Sequence, residues 1–250
     1  MEHDISTPAT SSLAFKALVA EVLATHQGHR VVPFDFEGRR YWLKQPERLE
    51  GAMKLLKHSP DQALQTEIRA LQTLNEKHAP VPNVVLAGEG YFVIEDAGKT
   101  VSDWWHLSHQ DGSVPFDKIL TDSAAALAEL HSLELAHGRP ALRDIGWQGG
   151  AVKFIDFEAN QRQKDMASQQ RRDLLVYLHS LYRYLGPAHE PITRAMQAYR
   201  EAGGEPTWQA ARRKLAPWQW LRPLLKPFRS IGGRDLKPMY WVMWHFHNQG

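Results

Sequence analysis

The sequence HGRPALRDIGWQGGAVKFIDFE, residues 137–158, is the most informative stretch of the chain for its fold. It begins with a predicted loop, His137 to Gly150, and continues into a short apolar strand, Val152 to Ile155. Asp156 closes the strand, and Phe157 and Glu158 follow it. A carboxylate at the end of an apolar strand is an unusual choice for structure alone, so a functional role is favoured for Asp156.

Helical patterns dominate both sides of this stretch. Before it, Phe116 to Ala136 is rich in alanine and leucine and predicts one long helix. After it, apolar spacing predicts helices almost throughout, at Arg171 to Leu185, Ile192 to Ala202, and Trp208 to Leu225 with a break at Pro217.

The first hundred residues have a different pattern, in which strands alternate with single helices. Helices are predicted at Leu13 to Thr25, Gln62 to Lys77 and Val101 to Leu107, and strands at Arg30 to Phe36, Arg39 to Lys44, Asn83 to Leu86 and Tyr91 to Glu95. The order predicts an α+β fold with two lobes, a small antiparallel-sheet lobe with one long helix and a mostly helical lobe. We expect a disordered tail at 1–12, a nucleotide-side lobe at 13–98, and a lobe at 99–250 with the catalytic loop, metal and substrate.

Four charged residues occupy matched places in this layout. Lys44 ends a strand, Glu67 lies on the next long helix, and Asp144 lies in the loop twelve residues before Asp156. Phosphoryl transfer needs a lysine on the nucleotide phosphates, a carboxylate that holds this lysine, and oxygen ligands for Mg²⁺. The four residues match these needs in type and in order.

At these positions the chain resembles the protein-kinase-like superfamily. It is most similar to lipopolysaccharide core (Kdo and heptose) kinases, RIO-type kinases and aminoglycoside-phosphotransferase-like proteins. The resemblance covers roughly residues 30 to 185, and its motifs are Leu43-Lys44, Glu67-Ile68-Arg69-Ala70-Leu71, Leu130-His131, His137-Gly138, Ile155-Asp156-Phe157-Glu158 and Arg172-Asp173-Leu174-Leu175.

The resemblance implies ATP and Mg²⁺ as cofactors and a role for each motif. Lys44 would contact the α- and β-phosphates and pair with Glu67, and Asp156 would chelate Mg²⁺. Asp144 falls at the position of the family's metal-binding asparagine, where a carboxylate can also bind a cation.

The resemblance also implies a hinge and a brace. Ile94 to Gly98 would face adenine, with Glu95 and Ala97 as the nucleotide-binding positions. Asp173 would brace the catalytic loop, although from its position it could equally cap the start of a helix.

The chain departs from the family at the catalytic base. The family's loop begins His-Gly-Asp or His-Arg-Asp, and its aspartate accepts the proton of the substrate hydroxyl, but here Arg139 follows His137-Gly138. A guanidinium does not act as a base near neutral pH, although it can hold a phosphate or an anionic substrate. Asp144 or Glu158 would be the alternative bases. A second departure is the phosphate-covering loop, where only Gly28 precedes the first hairpin.

Two hypotheses for function follow. The first is an atypical ATP-dependent phosphotransferase that uses a hydroxyl acceptor, which would be a lipid-linked sugar, a small molecule or a protein. The second is a pseudokinase, a nucleotide-binding or scaffold protein that transfers nothing. Arg139 separates the two, since general-base help is worth about 10²–10⁴-fold in rate.

Composition and motif searches argue against several other classes of function. The formal net charge is +2, which does not favour a nucleic-acid partner, and there are no cysteines for disulfides, thiolate zinc sites or nucleophiles. The thirteen histidines match no tight zinc spacing, and there is no Gly-x-Ser-x-Gly elbow. The N-terminus carries Glu2 and Asp4 and no apolar core of a signal peptide, and no run spans a bilayer, so we expect a cytoplasmic protein.

The last quarter of the chain mixes tryptophans with basic residues. These are Trp218, Trp220, Trp241 and Trp244 among Arg212, Arg213, Lys214, Arg222, Lys226, Arg229, Arg234 and Lys237. The mixture is typical of a peripheral surface at the inner face of a membrane. Two alternatives remain open: the tryptophans pack the helical lobe while the basic residues face solvent, or the segment binds single-stranded nucleic acid.

Overall fold

The structure, a computed structural model, describes residues 12–46, 60–157, 165–233 and 235–249. The expected N-terminal tail therefore lies outside the described residues, apart from Ser12. Glu158, one of the two alternative bases, also lies outside them.

Helices and strands alternate at first, and helices dominate afterwards. The helices are α1 (Leu13–Thr25), α2 (Pro60–Glu76), α3 (Val101–Ser108), α4 (Phe116–Ser132), α5 (Met166–Leu185), α6 (His189–Tyr199), α7 (Glu205–Leu215), α8 (Arg222–Leu225), α9 (Phe228–Ile231) and α10 (Leu236–Asn248). The strands are β1 (Val31–Phe36), β2 (Arg39–Lys44), β3 (Val84–Gly88), β4 (Tyr91–Glu95), β5 (Lys99–Thr100), β6 (Ile145–Gln148) and β7 (Ala151–Phe154). The chain forms two compact units, one ending at Asp96 and the other beginning at Ala97. The predicted α+β class is confirmed.

The first unit is built on an antiparallel sheet in the order β1-β2-β4-β3. Because side chains alternate across a strand, neighbouring residues of one strand contribute to two cores. Leu43 and its partner Val93 pack with Phe15 of α1 on one face. Phe92 packs with Ile68 of α2 on the other. The sheet therefore lies between the two helices.

The second unit contains a small antiparallel sheet, β5-β6-β7, in addition to its helices. The predicted loop from His137 to Gly150 is wrong at its end, because β6 and β7 form a hairpin around Gly149 and Gly150. Both glycines have positive φ, 59° and 98°, so this turn requires residues without a side chain. A Gly-Gly pair between two short apolar runs was the available signal for this hairpin.

The helices of the second unit differ from the prediction mainly at their ends. α4 stops at Ser132 rather than Ala136, since Glu134 has a left-handed φ of 55°. α5 begins at Met166, five residues before the predicted start. α7 ends at Leu215, and a 3₁₀ turn that contains Pro217 follows it. Among the described residues, no helix has both the length and the apolar content needed to cross a bilayer.

Candidate active site

The first unit brings Lys44 and Glu67 together. Lys44 is the last residue of β2, and its ammonium nitrogen lies 2.5 Å from Glu67 Oε1 on α2. The same nitrogen lies 5.7 Å from the centre of the Phe92 ring. Both side chains are partly exposed, at 24% and 35%. The pair leaves the lysine anchored on one side and open to solvent on the other.

The predicted hinge begins at the end of β4 and is held by side chains of the same unit. Asn83 donates its amide N–H to Glu95 Oε2 at 2.9 Å, and the Glu95 backbone N–H donates to the Asn83 carbonyl oxygen at 3.1 Å. Trp42 donates its indole N–H to Asp96 Oδ1 at 2.6 Å. The Glu95 carboxylate therefore has a structural partner in the first unit.

The segment predicted to be the hinge ends in the second unit, where Gly146 of β6 lies close to Ala97. A Cβ atom placed on Gly146 would collide with the carbonyl oxygen of Ala97. Gly98 has a φ of 78°, and a Cβ there would lie 2.8 Å from the Trp147 carbonyl oxygen. Both glycines are thus required by the close approach of this backbone to β6.

The loop that begins at His137 is braced by one face of α5. The backbone N–H groups of His137 and Gly138 donate to the two oxygens of Asp173, at 2.6 and 2.9 Å. The Leu142 N–H donates to Ser180 Oγ at 3.0 Å. Asp173 and Ser180 are seven residues apart, so they lie two turns apart on one helix face. The predicted brace is present, and the helix-cap alternative is excluded because α5 starts at Met166.

His137 connects the start of the loop to the end of β7. One ring nitrogen, Nε2, lies 2.9 Å from the Ile155 carbonyl oxygen, and Nδ1 lies 3.2 Å from the Arg139 backbone N–H. A proton on Nε2 satisfies both bonds, since Nε2 then donates and Nδ1 accepts. The ring also lies against Phe154 and Phe157, with centroid distances of 5.6 and 4.5 Å. His137 therefore orients the backbone on which Asp156 is carried.

Asp144 is a buried carboxylate without a full set of partners. It is 6% exposed, and its Oδ2 has no hydrogen-bond partner among the described residues. Burial raises the pKa of this carboxyl, and the positive charges of Arg143 and Arg139 oppose the shift. The Asp144 carbonyl oxygen accepts the Ile155 N–H at 2.9 Å. Both polar backbone groups of Ile155 are thus bonded to the loop, one to Asp144 and the other to His137.

Asp156 follows directly and has a left-handed backbone, with a φ of 62°. Such a conformation is uncommon outside glycine and tends to occur at functional sites, although aspartate tolerates it better than most residues. Its side chain is 72% exposed and lies 3.8 Å from Arg139 Nη2. Arg139, Asp144 and Asp156, which are far apart in the predicted loop and strand, therefore form one charged cluster.

This cluster fits a hard divalent cation in the donors that it offers. Mg²⁺ is commonly held by one or two carboxylates, with phosphate oxygens and waters completing its shell. Asp144 Oδ2 is buried and lacks a donor among the described residues, and Asp156 lies close enough to raise the pKa of Asp144 electrostatically. Within the described parts of the chain, there is no cluster of three or more histidine or acidic side chains suited to a metal.

Asp173 also belongs to a buried polar network with His131 and Tyr199. His131 at the end of α4 lies with Nδ1 2.8 Å from the Tyr199 hydroxyl and Nε2 3.6 Å from Asp173 Oδ2. Burial raises the pKa of the Tyr199 hydroxyl, and the charge of Asp173 acts in the same direction. The network joins α4, α5 and α6 to the start of the loop.

Sequence reasoning missed two of these supporting residues. Ser180 was overlooked, although its spacing of seven from Asp173 on a largely apolar helix face was a usable signal. The role of His137 in orienting Ile155 had no local signal, because the two residues are eighteen positions apart and meet only through the hairpin.

Comparisons with known proteins identify the family of this chain. A family model described as "Phosphotransferase enzyme family" matches residues 28–230, a range that contains Lys44, Glu67, Asp144 and Asp156. An uncharacterized protein of Haemophilus influenzae (strain ATCC 51907 / DSM 11121 / KW20 / Rd) is 36% identical over 226 residues, which are 90% of this chain and 93% of the relative. The chain therefore belongs to the phosphotransferase enzyme family, within the protein-kinase-like superfamily that its motifs resemble.

Proposed function

We propose that this protein transfers the γ-phosphate of ATP to a hydroxyl acceptor with the help of Mg²⁺, as an atypical member of the lipopolysaccharide-kinase and RIO-like type. The observation that carries the proposal is the buried Asp144 carboxylate, whose backbone is tied through Ile155 to Asp156. A buried carboxylate with an unpaired oxygen is destabilising by itself, so its presence favours a bound cation.

Nucleotide binding is assigned to the lysine pair and the hinge. Glu67 holds the Lys44 ammonium in place, and Lys44 would contact the α- and β-phosphates. Glu95 and Ala97 would face adenine through their backbone groups, since the Glu95 carboxylate is already bonded to Asn83.

Asp144 and Asp156 would hold Mg²⁺, which neutralises charge that develops on the transferred phosphoryl group. Asp144 supplies a buried oxygen, and Asp156 supplies an exposed one at the end of β7. Phosphate oxygens and water would complete the coordination. The role of the chain is to hold both carboxylates on a loop and a strand that hydrogen-bond to each other.

Arg139 occupies the position of the base, and a guanidinium does not act as a base near neutral pH. Its contact with Asp156 is loose, at 3.8 Å, and its side chain is 43% exposed. A bound cation would compete for Asp156 and leave the guanidinium to bind a phosphate oxygen or an anionic acceptor. A loose transition state depends mainly on positioning and charge neutralisation, so transfer without a base is feasible but slow. Asp144 or Glu158 would supply any base that the reaction uses.

The second candidate is a pseudokinase, and one observation favours it. The Arg139 guanidinium lies at Asp156, where it partly neutralises a carboxylate that the metal would need. Such a protein would bind nucleotide or a partner without phosphate transfer.

Mg-ATP should raise the melting temperature of the full chain and should lose its γ-phosphate slowly in the presence of the protein. Lys44→Met and Asp156→Ala should each reduce γ-phosphate loss by at least about 100-fold, because both remove charge that positions the phosphates. The measurements are thermal shift for binding and release of labelled phosphate for transfer.

Lys118→Met and Asp111→Ala serve as matched controls, since the Lys118 side chain is exposed where it pairs with Asp122 and Asp111 lies in an exposed turn. Activity that survives both test substitutions would contradict the site. A thermal shift without turnover would favour a nucleotide-binding pseudokinase, whereas no shift with Mg-ATP would contradict ATP binding in either candidate and favour a scaffold role. We place the proposed reaction in the cytoplasm, where ATP and Mg²⁺ are supplied. The acceptor would be a lipid-linked sugar, a small molecule or a protein.

A further inference from the structure

The segment between Glu205 and Asp235 has a one-sided charge. Residues 206–234 contain no aspartate or glutamate and seven basic residues, which are Arg212, Arg213, Lys214, Arg222, Lys226, Arg229 and Arg234. Since the whole chain carries +2, the remaining residues together carry −5. The net positive charge of this protein is thus concentrated in a single segment.

Six of these seven basic residues lie in the described part of the chain, and all six are at least partly exposed to solvent. Arg212, Arg213, Lys214, Lys226 and Arg229 are exposed, and Arg222 is partly exposed. Over the described ranges, none of these six forms an ion pair with a carboxylate of the chain. Their charge is therefore available to an external anionic surface.

Large apolar side chains are exposed among these cations. Trp218 is 54% exposed, Trp220 65% and Leu224 61%, and Phe228 is also exposed at 39%. Neither tryptophan has a ring contact with another described residue, and no residue of the 3₁₀ turn or of α8 is buried. Such a run of unburied aromatic and aliphatic side chains is costly in water and indicates a surface that binds something.

The other tryptophans of this part of the chain behave differently. The Trp244 ring stacks on His189 with a centroid distance of 3.9 Å, and Trp208 stacks on Phe246 at 4.4 Å. Trp241 lies 5.0 Å from His189. The alternative in which tryptophans pack the helical lobe therefore holds for these three and fails for Trp218 and Trp220.

We propose that the segment from Arg212 to Arg229 docks this protein on the anionic surface of a lipid bilayer. Tryptophan prefers the headgroup level, and leucine and phenylalanine enter the acyl boundary, while lysine and arginine are attracted to anionic lipids. Three prolines, Pro217, Pro223 and Pro227, divide the segment into turns and four-residue helices. The segment therefore lies along a surface rather than across it.

A membrane suits these residues better than single-stranded nucleic acid. Bases bind by stacking on aromatic rings, so aliphatic side chains such as Leu224 and Leu225 add nothing to that mode. A bilayer uses both kinds of apolar side chain. The cytoplasmic leaflet is the anionic one, and it would bring the protein to lipid-linked acceptors. The proposal does not depend on phosphate transfer and holds equally for a pseudokinase.

The test is sedimentation of the full chain with vesicles of equal parts phosphatidylglycerol and phosphatidylcholine, and with vesicles of phosphatidylcholine alone. We expect binding to the mixed vesicles only. Binding should weaken strongly between about 0.1 M and about 1 M salt, because the Debye length falls from about 10 Å to about 3 Å.

Two double substitutions locate the surface. Arg213→Gln with Lys214→Gln should weaken binding by about 25-fold, since each basic residue near an anionic bilayer contributes about fivefold. Trp218→Ala with Trp220→Ala should weaken it comparably by removing the inserted rings. The matched controls are Lys16→Gln with Arg39→Gln, which removes the same charge, and Leu13→Ala with Val31→Ala, which removes exposed apolar side chains of the first unit.

The outcomes separate the possibilities. The proposal is supported if both test variants lose binding to the mixed vesicles and both controls retain it. All variants must keep the melting temperature of the unmodified protein. Equal binding to both vesicle types, or no binding to either, overturns it. Binding to a single-stranded oligothymidine but not to the vesicles overturns it in favour of nucleic acid. No ATP is present, so failure here is distinct from failure of the phosphotransfer proposal.

Discussion

Asp144 combines two features that a residue kept only for stability would not have. Its carboxylate is nearly fully buried, and one of its oxygens has no hydrogen-bond partner in the described part of the chain. Arg143 Nε lies 3.6 Å from the other oxygen, which is too far for a strong charge-assisted bond. The protein therefore carries an unfavourable charge at this position, which is the pattern expected where stability is given up for binding.

Asp144→Asn should make the protein more stable without ligand and less responsive to Mg-ATP. The amide carries no charge to desolvate, so we expect the free energy of unfolding to rise by about 1 kcal/mol or less. The thermal shift with Mg-ATP should fall, because a carboxylate ligand of the cation is lost. Thermal melting with and without Mg-ATP measures both effects.

Asp165→Asn is the control, since its side chain is 64% exposed and lies 3.7 Å from Arg171 Nη2. It should change neither the melting temperature nor the response to Mg-ATP. If Asp144→Asn destabilises the ligand-free protein, or keeps the full Mg-ATP shift, the role assigned to Asp144 is wrong.

At the level of elements, α5 positions the candidate catalytic loop. Asp173 and Ser180 are both buried, and they bind the loop at its start and near its end. A helix is suited to this task because its own backbone is internally bonded, so the side chains of one face keep fixed distances. The loop is therefore positioned by a rigid element.

Asp173→Ala should destabilise the protein by about 3 kcal/mol, because the buried N–H groups of His137 and Gly138 lose their acceptor. Urea unfolding measures the change. Asp235→Ala is the matched control, since its carboxylate is 79% exposed and pairs with Arg183 at the surface. It should cost about 0.5 kcal/mol or less. Equal effects of the two substitutions would show that the brace does not hold the loop.

At the level of the whole molecule, stability should depend on pH through a buried histidine of α10. His245 is fully buried and has Nδ1 2.8 Å from the Tyr182 hydroxyl. Burial, and to a lesser degree the charge of His189, lowers the pKa of His245 to about 4. Burial also lowers the pKa of His189. Both residues therefore favour a folded state in which the rings are neutral.

The free energy of unfolding should fall as the pH falls from about 6.5 towards 4. Above the pKa of an unfolded histidine, about 6.5, both states are neutral and the full stability is present. Below pH 6.5 this histidine binds a proton in the unfolded chain, whereas in the folded protein it stays neutral until the pH falls to about 4. The loss from this residue should reach about 3 kcal/mol.

His245→Gln removes this contribution, so urea unfolding at pH 7 and pH 4 should differ by less than in the unmodified protein. The slope that remains would come from His189 and the carboxyl groups. His247→Gln, on the exposed face of the same helix, should leave the dependence unchanged. An unchanged dependence in His245→Gln would show that His245 is not the group that titrates.

Local patterning was enough for the fold class, and the family resemblance was enough for the pairing of Lys44 with Glu67. Period-two and helical apolar spacing predict the hairpin around Gly38 and the amphipathic helix that carries Glu67, and these elements place Lys44 and Glu67 in contact. Motif order was enough for the family. Each element and each motif is formed by residues close in sequence, which is why the elements and the family can be recognised without a structure.

Contacts between distant residues were decided by packing. Asp173 binds the Gly138 N–H, 35 residues earlier in the chain, and Gly146 allows the backbone of Ala97 to approach β6. Composition did not distinguish Trp218 and Trp220, which are exposed, from Trp241 and Trp244, which have ring partners. A tryptophan looks the same in both roles, and only the neighbours brought by the fold settle whether its ring is covered.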